Sequence, residues 1–180
     1  MGHFSMKTPG HFSTAINMSG DFLDLQNLFL TESDHNVQAL TSGVVAEVSL
    51  PAMQELAFKR PAVGKAFWVA TLIEASIGRE WLLNVGRRSA TERLAHLLCE
   101  IAVRLTDTDT PAAGDYEMPM TQEQIGDALG LTSVHVNRVL KMLQKQGLIN
   151  RDRRRMQVAD WKGLRALADF NERYLHLNQS

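Results

Sequence analysis

The sequence predicts an α+β protein, with short strand-like runs first, a long helix next, and a helical pair followed by a basic hairpin last. Three observations carry that prediction. Before residue 50, short apolar groups alternate with turn formers. After Pro61, apolar residues recur at helical spacing without a break for more than twenty positions. From Thr121 onward, two short apolar periodicities flank Gly130, and an arginine-rich turn follows. The chain has 180 residues, 44% hydrophobic and 22% charged, the composition of a folded globular protein and not of a disordered one.

The strand-like runs are Phe12–Ile16, Asn36–Leu40 and Val44–Leu50, divided by Asn17, Ser19-Gly20 and Thr41-Ser42-Gly43. Val44, Val45 and Val48 favour extended backbone. Residues 1–8 read as a loose leader without the apolar core of a signal peptide. Pro51 suits a first helical turn, so 52–59 reads as a short helix ended by Pro61. The long helix is expected to run to Val85, with Gly86 stopping it. Along it Ala66, Ala70, Ile73, Ile77, Trp81 and Asn84 recur at spacings of three and four, with Phe67 and Leu72 beside them. That stripe suits pairing with a second copy, and equally an ordinary core helix. Ser89 and Glu92 form a capping box for the next helix, whose apolar face is Leu94, Leu97, Leu98, Ile101 and Leu105. A loop over 106–114 and a short strand over 116–118 follow.

The segment 120–149, MTQEQIGDALGLTSVHVNRVLKMLQKQGLI, is the most informative. Thr121 is a good N-cap, with Gln124 completing its box, and Ile125, Ala128 and Leu129 make one short apolar face. Gly130 is placed to end that helix in a left-handed cap. Thr132 or Ser133 opens a second helix with Val136, Val139, Leu140 and Leu143 inward, closed by Gly147. Two short helices joined by a glycine-containing turn are the helix-turn-helix layout, whose second helix fits the major groove of duplex DNA. Ser133, Val134, His135, Asn137 and Arg138 project between the buried positions as candidate base contacts. Arginine can donate to guanine, asparagine can pair with adenine, and valine can touch a thymine methyl. Thr121, Gln122, Thr132 and Lys141 are candidate contacts to the DNA backbone. Residues 148–150 and 156–158 form a hairpin, or wing, around Arg151, Arg153, Arg154 and Arg155, which are placed to meet sugar-phosphate. Asp160 caps a closing helix through Arg165 and Phe170.

Charge agrees with this placement. The formal net charge is only −1, but residues 1–60 hold three Lys/Arg against six Asp/Glu, and residues 121–155 hold seven against three. The basic end is the one expected to face a polyanion.

With these residues in view, the chain resembles the Crp/Fnr family of regulators. The match is most specific over 79–149, in TSVHVNRVL and in REWLLNVGRRSATERLAHLLCEIAVRL, which, with GDFLDLQNL, look like a subgroup common in alphaproteobacteria. The resemblance implies a sensory, cyclic-nucleotide-binding-like β-roll over 1–60, of which only the second half is recognisable. It implies a dimerisation helix and hinge over 61–88, and a winged helix-turn-helix over 89–180. The shortened sensor suggests a truncation or a late start. Gly20-Asp21-Phe22 falls where the family has the Gly-Glu segment of its nucleotide pocket. Ser33-Asp34-His35-Asn36-Val37 stands where nucleotide binders have an Arg-Ser pair, so a cyclic nucleotide is not expected. Oxygen-sensing members use several cysteines and this chain has Cys99 alone, so no iron–sulfur cluster is expected and no other cofactor is implied. Arg138 matches the family's guanine-reading arginine, but Val134 replaces a glutamate, so the operator half-site should differ.

The expected function is sequence-specific transcription regulation by a cytoplasmic homodimer on an inverted repeat, with recognition helices about one DNA turn (~34 Å) apart. Double-stranded DNA is the principal partner, RNA polymerase a candidate one, and a membrane is not expected, since no apolar stretch is long enough to span it. The alternative is a shortened member that heterodimerises with a full-length regulator and blocks it. No catalysis is expected. A nucleophilic pair of His96 and Cys99 is conceivable at their one-turn spacing, but a buried thiol with His96 at the helix edge explains both residues more simply. The six histidines show no metal-ligand spacing.

Overall fold

The computed structural model describes residues 15–33, 35–105 and 115–177. The expected leader, most of the run 12–16, Asp34 and the loop 106–114 lie outside the described residues. The observed order is a single 3-10 turn at Leu25–Leu28, α1 (Leu50–Lys59), α2 (Pro61–Arg87), α3 (Ala90–Leu105), β1 (Asp115–Glu117), α4 (Gln122–Leu129), α5 (Ser133–Lys145), β2 (Ile149–Asp152), β3 (Arg155–Val158), α6 (Trp161–Ala168) and a last 3-10 turn at Glu172–Leu175. The α+β class is observed, as helices plus one small antiparallel sheet.

The prolines and caps explain the helix starts. Pro51 and Pro61 sit in the first turns of α1 and α2, where a missing N–H costs nothing. Ser89 and Glu92 exchange the reciprocal bonds of a capping box ahead of α3. Helix α2 passes through Gly86 and ends at Arg87. A single glycine lowers helix propensity by only about 1 kcal/mol, which the flanking turns absorb.

One core holds the C-terminal half together. Residues Leu94 to Ala102 of α3 are buried in an unbroken run, because α6, α5, α2 and α4 pack against the helix and Tyr174 of the final 3-10 turn reaches His96 and Glu100. Ile125, Leu129, Val136, Leu143, Ile149, Met156 and Leu164 complete the cluster. The sheet has the order β1-β3-β2, with Tyr116 opposite Met156 and Ile149 opposite Val158. A second, small cluster joins Leu25 and Leu28 to Phe67 of α2.

Two expectations need correcting. The runs 36–40 and 44–50 form no strand: Val44 is 97% exposed, and Leu50 already begins α1. β-branched residues favour extended backbone, but a strand also needs a neighbour to complete its hydrogen bonds, and the described chain offers none there. The second correction concerns α2. Of the expected pairing stripe, Trp81 and Asn84 are buried within the chain itself, and Ile77 and Ala70 pack on the main and small clusters. Ile73 is half-buried, and Ala66 is exposed. Helical spacing identifies an apolar face without saying whose surface it meets. The outward face carries Trp68, Leu72, Ala75, Arg79 and Leu82, again at spacings of four and three.

Candidate nucleic-acid interface

Helices α4 and α5 are held at a fixed angle by a turn that only particular residues can make. Thr121 Oγ1 accepts from the Gln124 amide while the Gln124 side chain accepts from the Thr121 amide, so both ends of the capping box are closed. Gly130 sits at φ 64°, the left-handed region that favours glycine. Gly126 is required for a different reason. A Cβ there would stand 2.5 Å from the Leu131 carbonyl oxygen, so the turn could not close against α4. Thr132 then caps α5 by accepting from the His135 amide at 3.2 Å.

The inward side of α5 is Val136, Val139, Leu140 and Leu143, as its spacing predicts. On the other side Ser133, Val134, Arg138 and Lys141 are exposed, and His135 and Asn137 are half-buried. Val134 is 78% exposed, a poor position for an apolar side chain unless something covers it. Ser133, Val134, Asn137, Arg138 and Lys141 line one concave surface together with Gln122 from α4. Asn137 Nδ2 donates to Gln122 Oε1 across that surface at 3.0 Å, a contact the sequence did not reveal. Spacing within one helix says nothing about a partner on the helix before it.

The wing arginines divide into two groups. Arg153 lies at the hairpin turn with φ 53° and is exposed, and Arg151 Nε donates to its carbonyl. Arg154 instead ties the wing to the chain ahead of α4, donating to the Met118 and Pro119 carbonyls at 3.3 and 2.8 Å. Arg155 is paired with Asp115 of β1 at 2.5 Å. Thr121, Gln122, Arg151, Arg153 and Arg154 surround one cleft between wing and α4, whose floor is Met118, Met120 and Met156.

Behind this surface lies a buried polar network. Glu100 accepts from Trp81 Nε1 at 3.0 Å, from Tyr174 Oη at 2.7 Å and from Arg104 at 3.3 Å. His96 Nε2 lies 3.1 Å from the same Tyr174 hydroxyl. Burial, and secondarily the charge of Arg88, holds His96 down at about 3, while burial pushes Glu100 above the usual carboxylate range. His96 is therefore a buried neutral residue and not one at the helix edge. Cys99 is buried as expected, with its thiol pushed up to about 12 by desolvation. Such burial disfavours the thiolate that nucleophilic attack or metal ligation requires. Among the described residues no group of three or more His, Cys, Asp or Glu is arranged to hold a metal ion, and no helix is long and apolar enough to cross a membrane.

A helix pair with a tight glycine turn, an exposed polar second helix and an antiparallel hairpin define a winged helix-turn-helix. Residues 92–167 match the model of the Crp-like helix-turn-helix domain. The chain is 32% identical over 120 residues to the transcriptional activator protein FnrL of Cereibacter sphaeroides, covering 64% of this chain and 48% of that one. It is 33% identical over 108 residues to the nitrogen fixation regulation protein FixK of Azorhizobium caulinodans, covering 59% and 44%. The solved structure of FixK2 from Bradyrhizobium japonicum superposes with a TM-score of 0.61 at 30% identity, over 67% of this chain and 59% of that one. Residues 92–167 thus form a Crp-like helix-turn-helix domain, and the chain is similar to regulators of the Crp/Fnr type, several of them alphaproteobacterial. It spans about half the length of the curated relatives it matches.

Proposed function

We propose that the chain is a sequence-specific regulator of transcription that binds duplex DNA as a homodimer on an inverted repeat. The observation that carries this is the exposed edge of α5. Its Ser133, Val134, Asn137, Arg138 and Lys141 share one concave surface while the helix's other side is locked in the core. Arg138 reads guanine, Asn137 adenine and Val134 a thymine methyl, with Ser133 and His135 at the same base edges. Thr121, Gln122, Thr132, Lys141 and Arg151 contact the backbone. Of the remaining wing arginines, Arg153 has the freest reach, since Arg154 and Arg155 hold β1 and its flank. Pairing uses Trp68, Leu72 and Leu82, exposed by 66%, 60% and 76%. In the division of labour that follows, 1–60 is the sensor-side region, 61–88 the pairing helix and hinge, and 89–180 the DNA-binding unit.

The buried, high-pKa thiol of Cys99 does not suit a thiolate-held cluster, and we assign no cofactor and no catalysis. A blocking subunit that ignores DNA would not need an exposed reading edge, which favours the DNA-binding reading.

The test is selection of bound sequences by the purified chain from a random duplex library at near-physiological salt. Recovery of an inverted repeat supports the proposal, and Arg138→Ala should then cost about 1–3 kcal/mol at one base pair. Recovery of nothing by folded dimer would turn the assignment towards a blocking partner.

A further inference from the structure

We infer that Gln122 is a positioning residue which orients the Asn137 amide and so makes one operator base pair discriminate adenine from guanine. The inference rests on the reading of α5 as the base-reading helix and assigns Gln122 a role beyond backbone contact. The terminal amide torsion of asparagine is broad and roughly two-fold, so an untethered Asn137 can present either its oxygen or its nitrogen to a base. Gln122 removes that freedom. It sits in the first turn of α4, capped by Thr121, and its Oε1 accepts one Nδ2 hydrogen of Asn137 at 3.0 Å. Both residues are half-buried, and both line the concave surface with Arg138 and Lys141.

The consequence follows from counting donors and acceptors. An asparagine amide has two N–H donors and one carbonyl acceptor. With one donor committed to Gln122, what remains is one N–H beside one carbonyl. That pair complements adenine, whose major-groove edge offers the N7 acceptor and the N6 donor. Guanine offers two acceptors, N7 and O6, so its O6 would face the Asn137 carbonyl without a hydrogen between them. An amide free to turn could meet guanine with two donors. The tether therefore works chiefly by rejecting the wrong base, which is how much specificity is built.

The test uses the whole 180-residue chain and the operator recovered from the random library. Asn137→Ala identifies the base pair that Asn137 reads. At that pair the unmodified protein should prefer adenine over guanine by roughly 5- to 150-fold, the range of a good bidentate contact. Gln122→Met keeps length and helix propensity but removes the acceptor, and should lower that ratio at least about fivefold while leaving the guanine preference assigned to Arg138 in place. Gln122→Glu restores an acceptor and should restore the adenine preference, even though an added negative charge near phosphate weakens binding overall. Thermal melting of each variant establishes that it is folded. An unchanged adenine-to-guanine ratio in Gln122→Met overturns the inference. So does a uniform loss across all sequences, which would make Gln122 a backbone contact alone. Failure of the unmodified chain to select any repeat overturns the underlying reading of α5 and this inference with it, whereas a repeat insensitive to Gln122 overturns this inference only.

Discussion

The two ends of the chain use similar residues to different effect. Over 89–177 apolar side chains go inward: nine consecutive residues of α3 are buried, and α4, α5, β2, β3 and α6 each add to the same cluster. Among the described residues of 15–60 the buried apolar ones are Ile16, Leu25 and Leu28, while Phe29, Phe58 and Val44 are exposed by 71%, 73% and 97%. The difference lies in where each kind of element finds its hydrogen bonds. A helix satisfies its own backbone and needs neighbours only for its apolar face, whereas a β-run must find a ladder before it can bury anything. The helical segments fold here from nearby information, while the strand-like runs 36–40 and 44–50 join no ladder among the described residues.

If this contrast is energetic as well as geometric, the same substitution should differ sharply between the two ends. Leu97 is wholly buried in α3, and Leu97→Ala should destabilise the C-terminal unit by about 2–5 kcal/mol. Leu28→Ala removes the same atoms from a cluster of three buried residues. It should leave the urea transition of the C-terminal unit close to its original midpoint, followed by hydrogen exchange of the α4 and α5 amides. Equal shifts from the two variants would mean that the small cluster is an integral part of the main core, and the comparison would collapse.

A smaller effect comes from the polar network that fastens α2 to this core. His96 has a folded-state value of about 3 against an ordinary 6.5, so the folded protein takes up this proton less readily than the unfolded chain. Its contribution to stability is therefore complete above 6.5 and is lost as pH falls towards 3, at up to about 1.4 kcal/mol per pH unit. Glu100 acts in the opposite direction. Its raised value makes folding favour the protonated carboxyl, so its contribution is lost as pH rises from the ordinary carboxylate value through the folded one. A His96→Gln protein lacks the first of these slopes. Its unfolding midpoint, measured from pH 7 to pH 4, should gain steadily on that of the unmodified chain as pH falls. A constant difference would show that His96 is not held neutral.

How much of this was legible in the sequence depends on whether the signal was local. Thr121, Gln124, Gly130 and Thr132 act within four residues of themselves, so both helices and their turn could be read directly, and the wing followed from Gly147 and the arginine cluster. The exposed edge of α5 was legible for the same reason, as the complement of Val136, Val139, Leu140 and Leu143. The polar network was not. Glu100 finds its partners in Trp81 and Tyr174, 19 and 74 residues away. Which face of α2 turns inward was not legible either, because the helix has two apolar stripes with similar spacing. The small residues of one looked suited to a second copy, while Arg79 interrupts the other. Pattern alone could not show that Trp81 donates to Glu100 and so belongs to the chain's own interior.

The weakest expected effect concerns a polar link between the two ends. Arg104, at the last turn of α3, donates to the Ile16 carbonyl at 2.8 Å and to Asp21 Oδ2 at 2.5 Å, while its other contact is Glu100. Asp21 is partly exposed, so its ion pair is worth about 0–1 kcal/mol, and Asp21→Asn should barely move the unfolding of the C-terminal unit. The N-terminal stretch has much less holding it, so the same small loss should matter more there. Limited proteolysis within 15–49 should quicken severalfold in Asp21→Asn, with no change in cleavage within 122–145. Unchanged proteolysis would show that Ile16 and the small Leu25–Leu28–Phe67 cluster hold the segment without the ion pair, and the link would then carry no weight in either direction.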